Sequence, residues 1–399
     1  MKKKTSSDDL SRLLRLLARF QEIELEDVEM DIGDLELQLQ SSAAARKTLP
    51  SAAEPAELEA KPHQLLQAQF APPLEEYPGQ VVEVKLGATA KDGGSRGKSI
   101  TVGGEKAPAF YLFETPPPNP PIVSLDVFDT KIPLAKPVKM HFEEVLGDPV
   151  GWAKLAVDKY NADMITLHLI SIDPLVNDTS PKEAAKTVEA VLQAVDVPMI
   201  IGGCGDPKKD VEVFEKVAEV GAGERFLLSS VTQDMDIERT CAAAKKYGHA
   251  VLSFTPMDLN QARQLNRRLY DFLPKEHILM DTTTAALGYG LEYAFTVMER
   301  ARLAALMGDP ELQHPMSSGT TNAWAAREAW KKLDPQWGPR EFRGPIWETT
   351  TALTLLLAGV DLFMMMHPAA VKTLKDVIRE LTSGKHDGET ARNWVTAQL

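Results

Sequence analysis

Cysteine is nearly missing from this chain: Cys204 and Cys241 are the only two in 399 residues, and they stand far apart. They cannot by themselves build a four-thiolate zinc or iron–sulfur site, and both read as reduced thiols. Long apolar runs are missing as well. No stretch reaches the length of a membrane-spanning helix, and Met1-Lys2-Lys3-Lys4 leads into Thr5-Ser6-Ser7-Asp8-Asp9 rather than the apolar core of a signal peptide. The expected location is the cytoplasm. Basic charge is in deficit, with 44 Lys and Arg against 57 Asp and Glu for a net −13, which disfavours a nucleic-acid or anionic-membrane surface.

Familiar catalytic patterns are absent too. The eight histidines show no H-x-H or H-E-x-x-H spacing, so no zinc-hydrolase ligands can be nominated. There is no G-x-S-x-G nucleophile elbow. The strands expected from Met164 onward contain no lysine, which argues against a Schiff-base aldolase. The catalytic and metal-ligand sets are therefore empty.

What is present is a large apolar fraction, 44%, enough to bury a substantial core. Pro121-Ile122-Val123-Ser124-Leu125-Asp126-Val127-Phe128-Asp129 reads as a strand covered on both faces, with Asp126 the exception inside it. From there helix and strand alternate. Further strands are expected at 164–170, 197–202, 226–231, 250–255, 277–283, 312–317 (the weakest) and 360–367, with a long helical region at 322–333 and 347–357 between the last two. Eight βα units over about 250 residues make a (β/α)8 TIM barrel, whose chemistry belongs at the C-terminal ends of the strands. Asp148-Pro149, Ser180-Pro181 and Asp206-Pro207 each place a capping side chain before a proline at the first helical position.

The N-terminal part divides into three. Residues 1–40 carry an amphipathic helix (8–21, with Leu10, Leu13, Leu14, Leu17 and Phe20 in phase) and a hairpin turning at Gly33-Asp34. This extension is either a satellite of the barrel or a docking element for another subunit. Residues 41–78 are a linker rich in Ala, Pro, Glu and Ser. Residues 79–120 hold three short strands, 81–86, 99–102 and 110–113, and a Pro-rich connector. The Gly-rich loop 87–98 lacks P-loop and dinucleotide spacing and is expected to be a plain hairpin loop. The barrel then occupies 121–385.

At the expected strand ends stand Cys204, Ser230, Thr232, Thr255, Asp281, Thr283, Ser318, Gly319 and His367. This rim is polar but mostly uncharged, suited to many hydrogen bonds with a large, amide-rich ligand. Taken singly, each residue has a plainer explanation as a helix cap, a tight turn or core packing. Asp126 and Asp281 could pair as acid and base across the mouth, although a buried structural role for both is the simpler reading.

Several stretches are together distinctive: Val84-Lys85-Leu86-Gly87-Ala88-Thr89, Gly93-Gly94-Ser95-Arg96, Thr101-Val102-Gly103-Gly104-Glu105, Val123 to Asp129, and Asp281-Thr282-Thr283-Thr284-Ala285-Ala286-Leu287-Gly288-Tyr289-Gly290. They resemble the small (delta) subunit of the corrinoid iron–sulfur protein of the CO dehydrogenase/acetyl-CoA synthase (acetyl-CoA decarbonylase/synthase) system. The resemblance runs from about Val81 to Leu381, with residues 1–80 similar to the extensions of archaeal-type members. It implies a TIM barrel paired as a heterodimer with a larger subunit and a cobamide held at their interface. It places a [4Fe–4S] cluster on the partner, not on this chain. It also implies methyl carriage in the reductive acetyl-CoA (Wood–Ljungdahl) pathway, from a methylated tetrahydropterin, through a separate methyltransferase, to acetyl-CoA synthase. The chain would then be a carrier subunit rather than a free-standing catalyst, with the strand-end residues above as its cobamide contacts. The alternative is a pterin-dependent methyltransferase whose barrel itself binds methyl-tetrahydropterin, but the strand-end asparagines expected of that family are not evident.

Overall fold

A computed structural model describes residues 76–110 and 117–383. The expected helix and hairpin of 1–40, nearly all of the 41–78 linker and all but Phe110 of the strand at 110–113 lie outside the described residues. Phe110 itself is in a turn.

Two antiparallel strands come first, β1 (Glu83–Leu86) and β2 (Ile100–Gly103), with Leu86 opposite Ile100. Eight parallel strands follow, each leading into helix. β3 (Ile122–Phe128) precedes α1 (Lys136–Lys139) and α2 (Pro149–Asp158); β4 (Met164–His168) precedes α3 (Pro181–Ala194); β5 (Met199–Gly202) precedes α4 (Pro207–Val220). β6 (Leu227–Val231) leads to α5 (Ile237–Tyr247), β7 (Ala250–Phe254) to α6 (Leu259–Leu269) and β8 (Ile278–Asp281) to α7 (Leu291–Leu306). β9 (Ser317–Gly319) leads to α8 (Arg340–Leu357), and β10 (Leu362–Met365) to α9 (Pro368–Thr382). The strand order is β8-β7-β6-β5-β4-β3-β10-β9, and a single bridge between Met280 and Met316 joins the two ends. This is the expected (β/α)8 barrel.

The three proline-led helices start as anticipated. Asp148 accepts from the Gly151 N–H, Ser180 from Glu183 and Asp206 from Lys208 and Lys209. These caps satisfy N–H groups that the first helical turn leaves without partners.

Elsewhere the elements depart from expectation. The seventh barrel strand is not 312–317 but Ser317–Gly319. Pro315 has no N–H to give a ladder, and its carbonyl accepts from Met280 instead, so pairing with β8 stops at one bridge. Residues 322–333 are not α-helical. They form tight 3-10 turns at Thr320–Ala325 and Arg327–Ala329, because the Glu328 and Lys331 carbonyls accept from the Arg343 guanidinium at 2.8 and 2.5 Å rather than from the chain ahead of them. Helix α8 begins seven residues earlier than the expected 347, and it includes Pro345.

The barrel is stoppered at its N-terminal end. Val84, Leu86 and Val102 of the β1–β2 hairpin pack with Met164, Ile200, Leu227, Leu279 and Leu362, the inward side chains of the lower strand layer. Burial of each such aliphatic group is worth roughly 1.5–3 kcal/mol. The loop between β1 and β2 is more than a plain turn. Its Arg96, only 5% exposed, donates from Nε to Glu224 at 2.9 Å and from its Nη atoms to the Val195 and Leu192 carbonyls, tying the hairpin to α3 and to the segment before β6. A second buried cation, Arg302 of α7, bridges Glu105 and Asp361 at 2.6 Å each, and Asp361 also accepts from the Met316 N–H. The upper end of the barrel is left as the opening.

Candidate site at the C-terminal mouth of the barrel

Inside the barrel the character changes from bottom to top. Above the aliphatic layer, Ser124 of β3 and Thr166 of β4 share a hydrogen bond of 2.8 Å, and above them stand Asp126 and His168. Asp126 is fully buried and accepts a hydrogen bond from the Thr321 hydroxyl. His168 Nε2 lies 3.2 Å from its other oxygen, close enough for an ion pair but outside the alignment of a hydrogen bond. The imidazole stacks on Phe128 at 5.0 Å and passes over Gly202, where a Cβ would stand 3.0 Å from Nδ1.

The sequence-derived rim residues fall into three groups. Ser230 and Thr232 line a cleft of about 60 Å³ between the ends of β5 and β6, and Cys204 stands next to it, between the lining residues Gly203 and Gly205. There the Cys204 N–H and thiol both point at Asp210 of α4, at 2.9 and 3.4 Å. Burial pushes the thiol up to about 11 and raises the Asp210 carboxyl as well. Cys204 is therefore a neutral thiol serving its loop, and Thr232 donates to Asp234.

The second group is Thr255, Asp281, Thr283, Ser318 and Gly319. Asp281 accepts from the Thr283 N–H at 2.8 Å and from Ser317 Oγ at 3.3 Å, and Thr283 Oγ1 donates to the Thr255 carbonyl at 2.8 Å. These bonds hold Thr283 at φ 74, a left-handed conformation that is strained for a β-branched residue. Burial pushes Asp281 up to about 6. Ser318 is buried and shares hydrogen bonds with Thr284 and Thr320, with Gly319 beside it. Asp126 and Asp281 are each held by a different set of neighbours.

His367 forms the third group by itself. Its Nδ1 caps α9 by accepting from Ala369, and its ring stacks on Trp324 at 5.9 Å. Burial, with His141 edge-on at 4.7 Å, lowers it to about 4, so the ring is neutral.

Beside His367 opens a cavity of about 620 Å³, and sequence reasoning missed it. Phe128, Trp324, Trp330 and Met366 form its walls, Thr321 lies in it, and Lys136 and Arg340 stand at it. Just behind is Glu348, fully buried, accepting from the Met366 and His367 N–H groups at 2.6 and 3.0 Å. Burial pushes this carboxyl up to about 8, so it is protonated at neutral pH. One signal could have found it: Gly344, Glu348, Thr351, Ala352 and Leu355 recur on one helical face, so Glu348 is a carboxyl on a buried stripe.

Such an assembly defines a class: a (β/α)8 barrel plugged below, with hydroxyls, glycine backbone and an aromatic cavity at its open mouth. Among the described residues no group of three His, Cys, Asp or Glu is placed to hold a metal ion. The family model described as CO dehydrogenase/acetyl-CoA synthase delta subunit matches residues 83–334, and the chain belongs to that family.

Curated relatives agree. The acetyl-CoA decarbonylase/synthase complex subunit delta of Archaeoglobus fulgidus is 52% identical over 97% of this chain and 90% of its own length. Its counterpart in Methanosarcina mazei is 56% identical over 82% of this chain and 76% of its own length, and that of Methanothermobacter thermautotrophicus is 48% identical over 98% and 97%. Among solved structures, a Xanthomonas albilineans dihydropteroate synthase gives a TM-score of 0.46 at 15% identity, covering 66% of this chain and 94% of that one.

Proposed function

We propose that this chain is the delta subunit of an acetyl-CoA decarbonylase/synthase complex, the small subunit of its corrinoid iron–sulfur protein. In this reading it holds a cobamide at the interface with a larger subunit. It carries methyl groups from a methylated tetrahydropterin, by way of a methyltransferase, to acetyl-CoA synthase. The observation that carries the proposal is the 52% identity to a named delta subunit along nearly the whole of both chains. The mouth is compatible with the cofactor. A corrin is an apolar macrocycle fringed with amides, and the rim offers a matching set of hydroxyls and glycine backbone around aromatic walls.

A cavity of about 620 Å³ suits a drug-sized group, so the barrel covers part of a cobamide and a partner supplies the rest. When bound, the cobamide supplies the cobalt that accepts and gives up the methyl group. The chain's own residues position and shield. Ser230, Thr232 and Thr283 are the half-buried hydroxyls that would hold the corrin amides, with Gly203 and Gly205 letting the backbone approach closely. Asp281 fixes the Thr283 turn, and Phe128 and Trp324 exclude water. Ser318 and Thr255 act one layer down, by bracing Thr284 and Thr283.

Cys204 and Cys241 are the only cysteines in the chain, too few for a four-thiolate cluster, which supports assigning the [4Fe–4S] cluster to the partner. Among the described residues no helix is long and apolar enough to cross a membrane, in keeping with a cytoplasmic location.

The test is the visible spectrum and cobalt content of this chain alone and with its candidate large subunit. Corrinoid absorbance with about one cobalt per heterodimer, and little on the single chain, is the expected result. A cobalt-free heterodimer after reconstitution would overturn the carrier reading and leave methylpterin binding by the barrel. Within a loaded heterodimer, the triple substitution Ser230→Ala, Thr232→Ala, Thr283→Ala should lower cobamide retention about tenfold, the loss of roughly one net hydrogen bond's worth of free energy.

A further inference from the structure

Covering a corrin accounts for the planar aromatic walls of the 620 Å³ cavity, but uncharged corrin amides do not account for the two cations at its edge, Lys136 and Arg340. Trp330 stands over one side, 38% exposed, and its indole N–H is anchored to the Trp324 carbonyl at 3.1 Å. Trp324 is in turn fixed between His367, on which it stacks, and Gly344, where any Cβ would fall 2.3 Å from the indole ring. Phe128 is held by its stacking on His168. These rings are pre-positioned, so a flat ligand can enter without ordering them, which is where much of the cost of binding usually lies.

The charges are arranged asymmetrically. Lys136 is exposed and, among the described residues, forms no ion pair, though its charge reaches Glu341 and helps to hold that carboxyl low. Arg340 is paired only with its neighbour Glu341, at 3.3 Å and with both side chains at least a third exposed, an arrangement worth little in water. The carboxyls behind the cavity, Asp126 and Glu348, are buried, and Thr321 is the polar group between Asp126 and the open space. Negative charge is therefore accommodated at the edge beside Lys136 and Arg340, and a neutral ring deeper in.

We infer that this cavity is a binding site for a planar heteroaromatic group carrying a phosphate, stacked against Trp330 and Trp324 with the phosphate between Lys136 and Arg340. Aromatic platforms bind nucleobases through their π-faces without regard to sequence, and guanidinium and ammonium groups supply the charge-assisted hydrogen bonds to phosphate. Two components of the proposed chemistry share this description: the adenosine phosphate portion of coenzyme A and the nucleotide tail of a cobamide. The inference rests on the cavity and not on methyl carriage; the two fail separately, because cobalt retention tests one and nucleotide binding the other.

The experiment uses the full chain, with tryptophan fluorescence and titration calorimetry as readouts and adenosine 5′-monophosphate and adenosine as matched probes. The expected result is that the phosphate-bearing probe quenches the fluorescence and binds about tenfold tighter than adenosine, and that Lys136→Ala with Arg340→Ala removes this difference while leaving adenosine binding as it was. Trp330→Ala should weaken both probes. Coenzyme A competing with the nucleotide assigns the site to the acyl carrier, whereas competition by cobalamin but not by cobinamide, which lacks the nucleotide, assigns it to the tail. Equal binding of the two probes, or a phosphate preference that survives the double substitution, would overturn the inference. So would the absence of binding at millimolar concentration in wild-type chain whose circular dichroism shows it folded.

Discussion

Glu348 carries its proton as part of the fold. Its carboxyl is raised from 4.5 to about 8 by burial, so between those values the native chain keeps a proton that the unfolded chain has released. Stability from this residue is full below pH 4.5 and is lost as the pH rises through about 8. Asp281, raised to about 6, adds a shallower loss in the same direction at lower pH. Urea unfolding of Glu348→Gln from about pH 5 to pH 9 should show a flatter profile than wild type, with the difference between the two proteins changing across that window. An unchanged pH slope would mean that the carboxyl is ionised in the native state. His314 and His367, both lowered to about 4 by burial, act in the opposite sense: their contribution is full above pH 6.5 and is lost as the pH falls through 4.

At the level of elements, the excursion between β9 and α8 decides the shape of the mouth. It is 3-10 rather than α-helical, yet it is held firmly: Arg343 grips two of its carbonyls, and Trp324 fills the notch over Gly344. Gly344→Ala drives a methyl group into that indole. A destabilisation of about 2–3 kcal/mol is expected, within the range for overpacked cores, together with a change in tryptophan emission as Trp324 shifts. Wild-type stability and emission in this variant would show that the notch has room for a methyl group.

This excursion also marks where sequence reading stops. The strands and capped helices were legible because their signals are local: apolar runs for β3 to β8, and an Asp or Ser before proline for α2, α3 and α4. The rim hydroxyls were legible for the same reason, since barrel topology puts every strand end at the mouth. Residues 322–333 were read as helix because nothing near them announces Arg343, and the aromatic cavity went unseen because Phe128, Trp324 and Trp330 meet only after the barrel closes. Pro315, by contrast, was a visible warning against the strand expected at 312–317. Among the site residues, Cys204 is legible from its place in the chain, while the burial that keeps it a thiol, and Asp210, six residues on, that accepts from it, are not.

For the whole molecule, the barrel is unevenly joined. Seven of its seams are ladders, and the eighth, between β8 and β9, is the one bridge of Met280 and Met316. Local opening begins where backbone pairing is thinnest. Hydrogen exchange followed by mass spectrometry should therefore show β9 losing protection before β4, β5 and β7, and a ligand that spans the mouth should slow β9 more than any of these. Uniform protection around the barrel would show that Arg302, by holding Asp361 against Met316, compensates fully for the missing ladder.

The stopper at the foot of the barrel has a consequence for traffic. With Val84, Leu86 and Val102 seated in the lower end and Arg96 locking them there, the barrel, among the described residues, is entered from its upper end. Whatever delivers a group to the mouth and whatever collects it must stand on the same threshold. In the proposed methyl carriage, two such visitors cannot be served at once, so they take turns and the handover between them bounds how fast methyl groups pass.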